Sequence, residues 1–191
     1  MWKDLHFNNI AFTLIDFQTG FSPLMDPQIF SNARSNVQLI TKMFRRAEVP
    51  LIGTEHYRKG LGPTDPILLE AWGENPMLDK ITFSCCGQDS FVCTLEKFSR
   101  RVVVLAGLET HICVLQTALD LLDRNYKVIT VTDAVLSSSK DKWKSGLNLM
   151  EKAGAELMTT ETLLFYLLKR ADTPDFKYLV QLLKEKKNSN Q

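Results

Sequence analysis

Apolar residues recur along this chain with two periods, and the alternation between them predicts the fold. Short, nearly unbroken apolar runs occupy Ile10–Ile15 (IAFTLI), residues 51–54 and residues 102–106, with a β-rich run KVITVT at 127–132. Runs of this length rich in β-branched residues read as buried strands. A weaker extended piece lies around residues 80–83, and 156–159 forms a last short one. Between them the spacing turns helical. Val37, Ile40, Met43, Phe44 and Ala47 mark a helix within 28–48, and Ile112, Leu115, Leu119 and Leu122 mark one face of another. Further helices are predicted over about 89–99, 140–153, 161–169 and 174–187, with a polar tail at 188–191. The polar, glycine- and proline-containing stretch 55–65 reads as a loop at a strand end, a common place for binding groups.

This β-α alternation predicts an α/β fold: a doubly wound, mostly parallel six-stranded sheet with helices on both faces. No repeat, low-complexity linker or composition break divides residues 1–191, so one domain is expected. In such sheets ligands bind beyond the carboxyl ends of the strands, where strand order reverses. With the common order 3-2-1-4-5-6, strands one and four are neighbours at that point. Asp16 ends strand one and Cys113 follows strand four by a short turn. The topology therefore predicts that residues far apart in sequence share one crevice.

Composition narrows the function classes. Hydrophobic residues make up 45% and charged residues 24% of the chain, ordinary values for a globular domain. The net charge of +1 gives no global attraction to nucleic acid or an anionic membrane, and neither partner is expected. The KEKK cluster at 184–187 reads as a solvated end. Neither a membrane span nor a signal peptide is legible, and four cysteines without a C-x-x-C pair fit reduced thiols in the cytoplasm. The nine glycines include no G-x-G-x-x-G, which argues against a dinucleotide site.

The candidate chemistry centres on three residues. Cys113 is expected to open a helix, where free N–H groups and the helix dipole favour thiolate. A cysteine nucleophile also needs a proton acceptor and a cation to hold that acceptor ionised. Asp16, a costly carboxylate after a buried run, suits the first role, and Lys80 the second. On this reading iodoacetamide labels Cys113 ahead of Cys85, Cys86 and Cys93. Those three groups stand within motifs whose order is fairly specific: Asp16, Gln18 and Phe21 as D-x-Q-x-x-F, Lys80 in KITFS, and Gly107, Thr110, Cys113 and Val114 as G-x-x-T-x-x-C-V.

Across nearly its whole length the chain resembles the isochorismatase-like cysteine hydrolase superfamily, and its metal-free isochorismatase-domain branch in particular. The resemblance implies Asp16 as acid/base, Lys80 as electrostatic partner, Cys113 as nucleophile, and a cis peptide at Leu108–Glu109 that aims N–H groups at a developing oxyanion. It implies no cofactor, and homo-oligomers are common among such proteins. Metal-dependent nicotinamidases of the superfamily carry an Asp and two His after strand two. Here Glu55, His56 and Tyr57 stand in that stretch, so no metal and no nicotinamide substrate are expected. Gln18, Phe21, Glu55, His56 and Phe83 are substrate-pocket candidates by position, with Trp72 and Glu109 placed similarly. His111 is read as lining the entrance or facing solvent, and Cys85 and Cys86 as packing. Phe176, Tyr178, Leu179, Leu182 and Leu183 suit either self-association or the subunit's own core. Three functions stay open: a cofactor-free cysteine hydrolase cleaving a small amide, a vinyl ether hydrolase using Asp16 as acid, and a silent oligomeric scaffold.

Overall fold

The computed structural model describes residues 5–189. The strands are β1 (Ile10–Ile15), β2 (Leu51–His56), β3 (Met77–Lys80), β4 (Val102–Leu108), β5 (Lys127–Leu136) and β6 (Glu156–Met158). All pair in parallel, in the order 3-2-1-4-5-6. The helices are α1 (Pro27–Arg46), α2 (Arg58–Leu61), α3 (Pro66–Trp72), α4 (Asp89–Lys97), α5 (Leu115–Asp123), α6 (Lys140–Ala153), α7 (Thr160–Leu168) and α8 (Pro174–Ser189). None of the described helices is long and apolar enough to cross a membrane.

The sheet is buried on both faces, which is why its central strands read as continuous apolar runs. Period-two alternation sends Ile10, Phe12 and Leu14 of β1, with Val102, Val104, Ala106 and Leu108 of β4, to one core beneath α1, α3, α7 and α8. Ala11 and Ile15 of β1 and Val103 and Leu105 of β4 face the other, beneath α4, α5 and α6. Leu179 and Leu182 of α8 are buried in the first core, and Tyr178 and Leu183 pack against it, so the subunit's own packing accounts for that apolar stripe.

Helix starts follow local chemistry. Asp26 caps α1 by accepting from the N–H groups of Gln28 and Ile29, with Pro27 at the first helical position. Ser139 caps α6, which ends at Gly154 in the left-handed region. Asp65 with Pro66 likewise starts α3, an element absent from the sequence expectation.

Several boundaries differ from the pattern. The extended piece expected at 80–83 is a strand ending at Lys80. The fifth strand continues to Leu136 through a register irregularity that the polar pair Thr132 and Asp133 disguises. The expected tail is partly helix, since α8 runs through Asn188 and Ser189; residues 190–191 lie outside the described part. The helix after β4 buries Thr117, Ala118 and Leu121, whereas Ile112, Leu115 and Leu122 sit partly buried at its flank.

Candidate active site

At the carboxyl edge of the sheet, β1, β2, β3 and β4 bring together three groups from distant parts of the chain. Asp16 directly follows β1 and turns the chain with φ 49°, a region that Asp enters more readily than most residues. Lys80 closes β3, and its Nζ lies 2.7 Å from Asp16 Oδ2 with both side chains fully buried. The same ammonium donates to the carbonyls of Thr82 and Phe83, each at 2.9 Å. On the far side of the carboxylate, the Thr54 hydroxyl donates to Asp16 Oδ1 at 2.7 Å and lies 3.5 Å from Cys85 Sγ. Cys113, 4% exposed, lies close enough for its thiol to feel the charges of Asp16 and Lys80.

Cys113 does not open an α-helix. Thr110–Val114 forms a single wide turn, and α5 begins only at Leu115. Short π-type turns of this kind concentrate at functional sites. The peptide bond between Leu108 and Glu109 is cis. Two glycines set the turn's position. A Cβ on Gly107 (φ 127°) would stand 1.9 Å from the Ile15 carbonyl oxygen, so only glycine lets β4 pass the end of β1 here. Gly146 of α6 lies against the turn, where a Cβ would come 2.8 Å from the Thr110 carbonyl oxygen.

Electrostatics work against a preformed thiolate. Burial pushes the Cys113 thiol well above the usual range, and the Asp16 charge adds to the rise against the pull of Lys80. Burial also lifts the Asp16 carboxyl, opposed by Lys80. For Lys80, burial works against the ammonium, but Asp16 with the two cysteines more than offsets it and raises its pKa. Burial drives Cys85 up to about 12 and Cys86 up to about 11. Cys93 is exposed, whereas Cys85, Cys86 and Cys113 are buried.

The pocket candidates separate. His56 and Phe83 stand at the mouth with ring centroids 5.4 Å apart, and burial followed by the Lys80 charge lowers the His56 pKa. Phe83 is 52% exposed. Gln18 is fully buried and committed to framework: its amide donates to the carbonyls of His56 and Gly62 and accepts from the His56 N–H. Glu55 accepts from the Thr64 N–H at 2.6 Å and pairs with Arg58, holding the loop after β2. Phe21 packs against the core beneath α1, and Trp72 is buried there too. Gln18, Phe21 and Glu55 therefore shape the surrounding chain instead of offering groups to a ligand. Glu109 Oε2 accepts from the Ser138 N–H at 2.9 Å, and His111 Nδ1 lies 3.0 Å from the Ser137 hydroxyl, so both tie the turn to the loop before α6. Among the described residues, no three His, Cys, Asp or Glu side chains are placed to hold a metal ion.

Thr54 was missed by sequence reasoning, whereas Cys85 packs in the core as expected and also lies against Thr54. The only available signal was position: a threonine near the end of β2, beside the end of β1, is adjacent to whatever ends β1. A cavity of about 770 Å³ also opens at this edge, between α1, β5, α6 and α8, but Asp16, Lys80 and Cys113 are not on its wall.

Comparison with known proteins agrees with this geometry. Residues 11–162 match the model of the isochorismatase domain. Isochorismatase domain-containing protein 2 of Rattus norvegicus is 40% identical over 160 residues, covering 83% of this chain and 72% of the rat protein. The structure of the MAR1 ribonuclease from Caenorhabditis elegans superposes with a TM-score of 0.83 at 36% identity, covering 94% of this chain and 92% of that one. YcaC of Escherichia coli, described as an octameric hydrolase of unknown specificity, shares the fold with a TM-score of 0.87 at 24% identity, covering 96% and 93%. The chain belongs to the isochorismatase-like hydrolase family.

Proposed function

We propose that the protein is a cofactor-free cysteine hydrolase that cleaves the C–N bond of a small amide through a covalent intermediate on Cys113. The observation that carries this reading is the buried Asp16–Lys80 pair, 2.7 Å apart, with the buried Cys113 thiol beside it. The raised thiol favours a resting state of thiol beside carboxylate, so proton transfer accompanies attack. Cys113 Sγ adds to the substrate carbonyl carbon while its proton passes to Asp16. The N–H groups of Glu109 and Cys113 receive the oxyanion, a contribution worth on the order of 10²–10³ in rate per donor. Collapse breaks the C–N bond, and Asp16 returns the proton to the departing amine. Water then attacks the thioester, giving a proton to Asp16; collapse breaks the C–S bond, Asp16 returns that proton to the Cys113 sulfur, and the carboxylic acid leaves. Lys80 keeps the carboxylate ionised between these steps and needs no metal or organic cofactor.

A second reading has its own support. Burial lifts the Asp16 carboxyl, which suits a group that must donate a proton to a vinyl ether. A panel of small amides and enol ethers on the purified protein separates the two. Amide hydrolysis with a thioester adduct on Cys113, lost in Cys113→Ala, supports the first. Ether cleavage that survives Cys113→Ala but not Asp16→Asn supports the second, and no turnover of either class supports a silent scaffold. RNA belongs in the panel because of the Caenorhabditis elegans relative, although the near-neutral chain charge favours a small molecule over nucleic acid. Exposed Tyr57, Ile81 and Phe83 at the mouth, together with the octameric YcaC, support self-association into a homo-oligomer. A cytoplasmic setting, away from membranes, fits the reduced thiols.

A further inference from the structure

The cavity of about 770 Å³ beside β5 has no part in the chemistry above. Its origin is the irregularity of β5. Thr130 pairs with Leu105 but Val135 with Gly107, so β5 carries extra residues between them, and Thr132 and Asp133 line the resulting space. Bulges re-aim side chains in this way and concentrate next to binding sites. The volume lies within the range of about 300–1,000 Å³ typical of small-molecule sites.

The lining divides by chemistry. Trp143, Val135 and Leu136 provide an apolar wall. The Trp143 Nε1–H is already spent on the carbonyls of Thr132 and Val135, so the indole offers its ring and not its donor. Asn36, 5% exposed, donates to the Asp133 carbonyl at 2.7 Å and accepts from Lys186. Three charged residues line the space: Asp133, Lys140 and Lys186. Asp133 Oδ1 is occupied by the N–H and hydroxyl of Thr160 at 2.7 and 2.8 Å, at the positive end of α7. Asp133 keeps its negative charge and Lys186 already donates to Asn36, so the two lysines outweigh the carboxylate by one positive charge.

We propose that this cavity is a second binding site, separate from Cys113, for a small amphipathic anion. The apolar part lies against Trp143, Val135 and Leu136, and the acidic group sits between Lys140 and Lys186. The site stands whether or not Cys113 is a nucleophile.

The probe is 8-anilinonaphthalene-1-sulfonate, an aromatic anion, titrated into the full chain. One saturable site per chain is expected, with probe emission excited by energy transfer from tryptophan. Trp143→Phe should weaken that transfer, the remainder coming from Trp2 and Trp72, while directly excited emission remains. Reversing both lysines, Lys140→Glu with Lys186→Glu, should weaken binding by about tenfold or more, since charge pairs near a surface carry energies of that order. Cys113→Ala should leave the titration unchanged. Ala33→Phe, which fills the wall from α1, should abolish binding and provides a second reading if the double reversal fails to fold. The proposal is overturned by absence of saturable binding, by transfer unchanged in Trp143→Phe, or by affinity indifferent to both charge reversal and filling.

Discussion

Where β1, β3 and β4 end, Asp16, Lys80 and Cys113 lie packed with almost no exposed surface, the carboxylate held by Lys80 and Thr54. Beside β5, a short way along the same edge, a cavity of about 770 Å³ has room for a ligand but no thiol on its wall. The two regions divide what an active centre needs. Low dielectric strengthens each charge interaction in the first and holds the thiol, carboxylate and ammonium in one coupled set. Irregular backbone in the second forgoes sheet pairing and opens space.

The comparison can be broken most sharply at Cys113. Cys113→Ala should lower amide turnover by at least about 10⁴-fold, as loss of a covalent nucleophile does, while the β5 cavity binds its probe as before. Rate measurements and probe titration on one preparation check both halves.

Next in size is the ion pair. Lys80→Met leaves a buried carboxylate unpaired and should cost about 3–5 kcal/mol in urea unfolding, whereas Lys80→Met combined with Asp16→Asn should recover much of that loss. The pH dependence has a definite sign. A carboxyl raised by burial contributes stability below its unfolded pKa and loses it as pH rises through its folded one. Lys80→Met should therefore be relatively more stable in mild acid than at neutral pH. In the wild type, the raised Lys80 contributes stability through neutral pH, lost only as pH climbs above the ordinary lysine range.

Thr54→Val tests a smaller element. It deletes the hydroxyl that donates to Asp16 Oδ1, leaving a buried acceptor short of a partner at a cost of about 1–3 kcal/mol. The Asp16 carboxyl should rise further, shifting the acid limb of any pH–rate profile upward.

The mildest effect is on reactivity without turnover. Iodoacetamide should modify Cys93 first and Cys113 more slowly than a free model thiol at neutral pH, with the Cys113 rate still climbing into alkaline solution. Asp16→Asn removes the like charge and should speed alkylation of Cys113 several-fold, as read by peptide mass mapping.

How far the sequence anticipated these regions depends on whether a feature is regular. β1, β4 and α6 announce themselves because burial on two faces and a helical period leave periodic marks, and the strand order that follows places the end of β1 beside the turn after β4. The β5 cavity leaves no such mark. Its defining event is a polar pair, Thr132 and Asp133, which looks like the end of a strand and is an interruption within one. Gln18 and Glu55 were drawn toward the pocket by position, since a sequence does not reveal that their polar atoms are already committed to backbone. Cys113 was assigned a helix terminus because the turn from Thr110 to Val114 has the same composition as a first helical turn, and burial first, then the neighbouring carboxylate, work against the expected charge on sulfur.

One helix touches both regions. The first turn of α6 contributes Lys140 and Trp143 to the cavity wall, and Gly146, one turn on from Trp143, rests directly on the backbone of Thr110 and His111. With no side chain at the point of contact, nothing compressible lies between the helix and the turn that holds Cys113. The sulfur's position is thus machined to the tolerance of a backbone-to-backbone bearing, and a shift of α6 is passed on to the turn instead of being taken up by a rotamer.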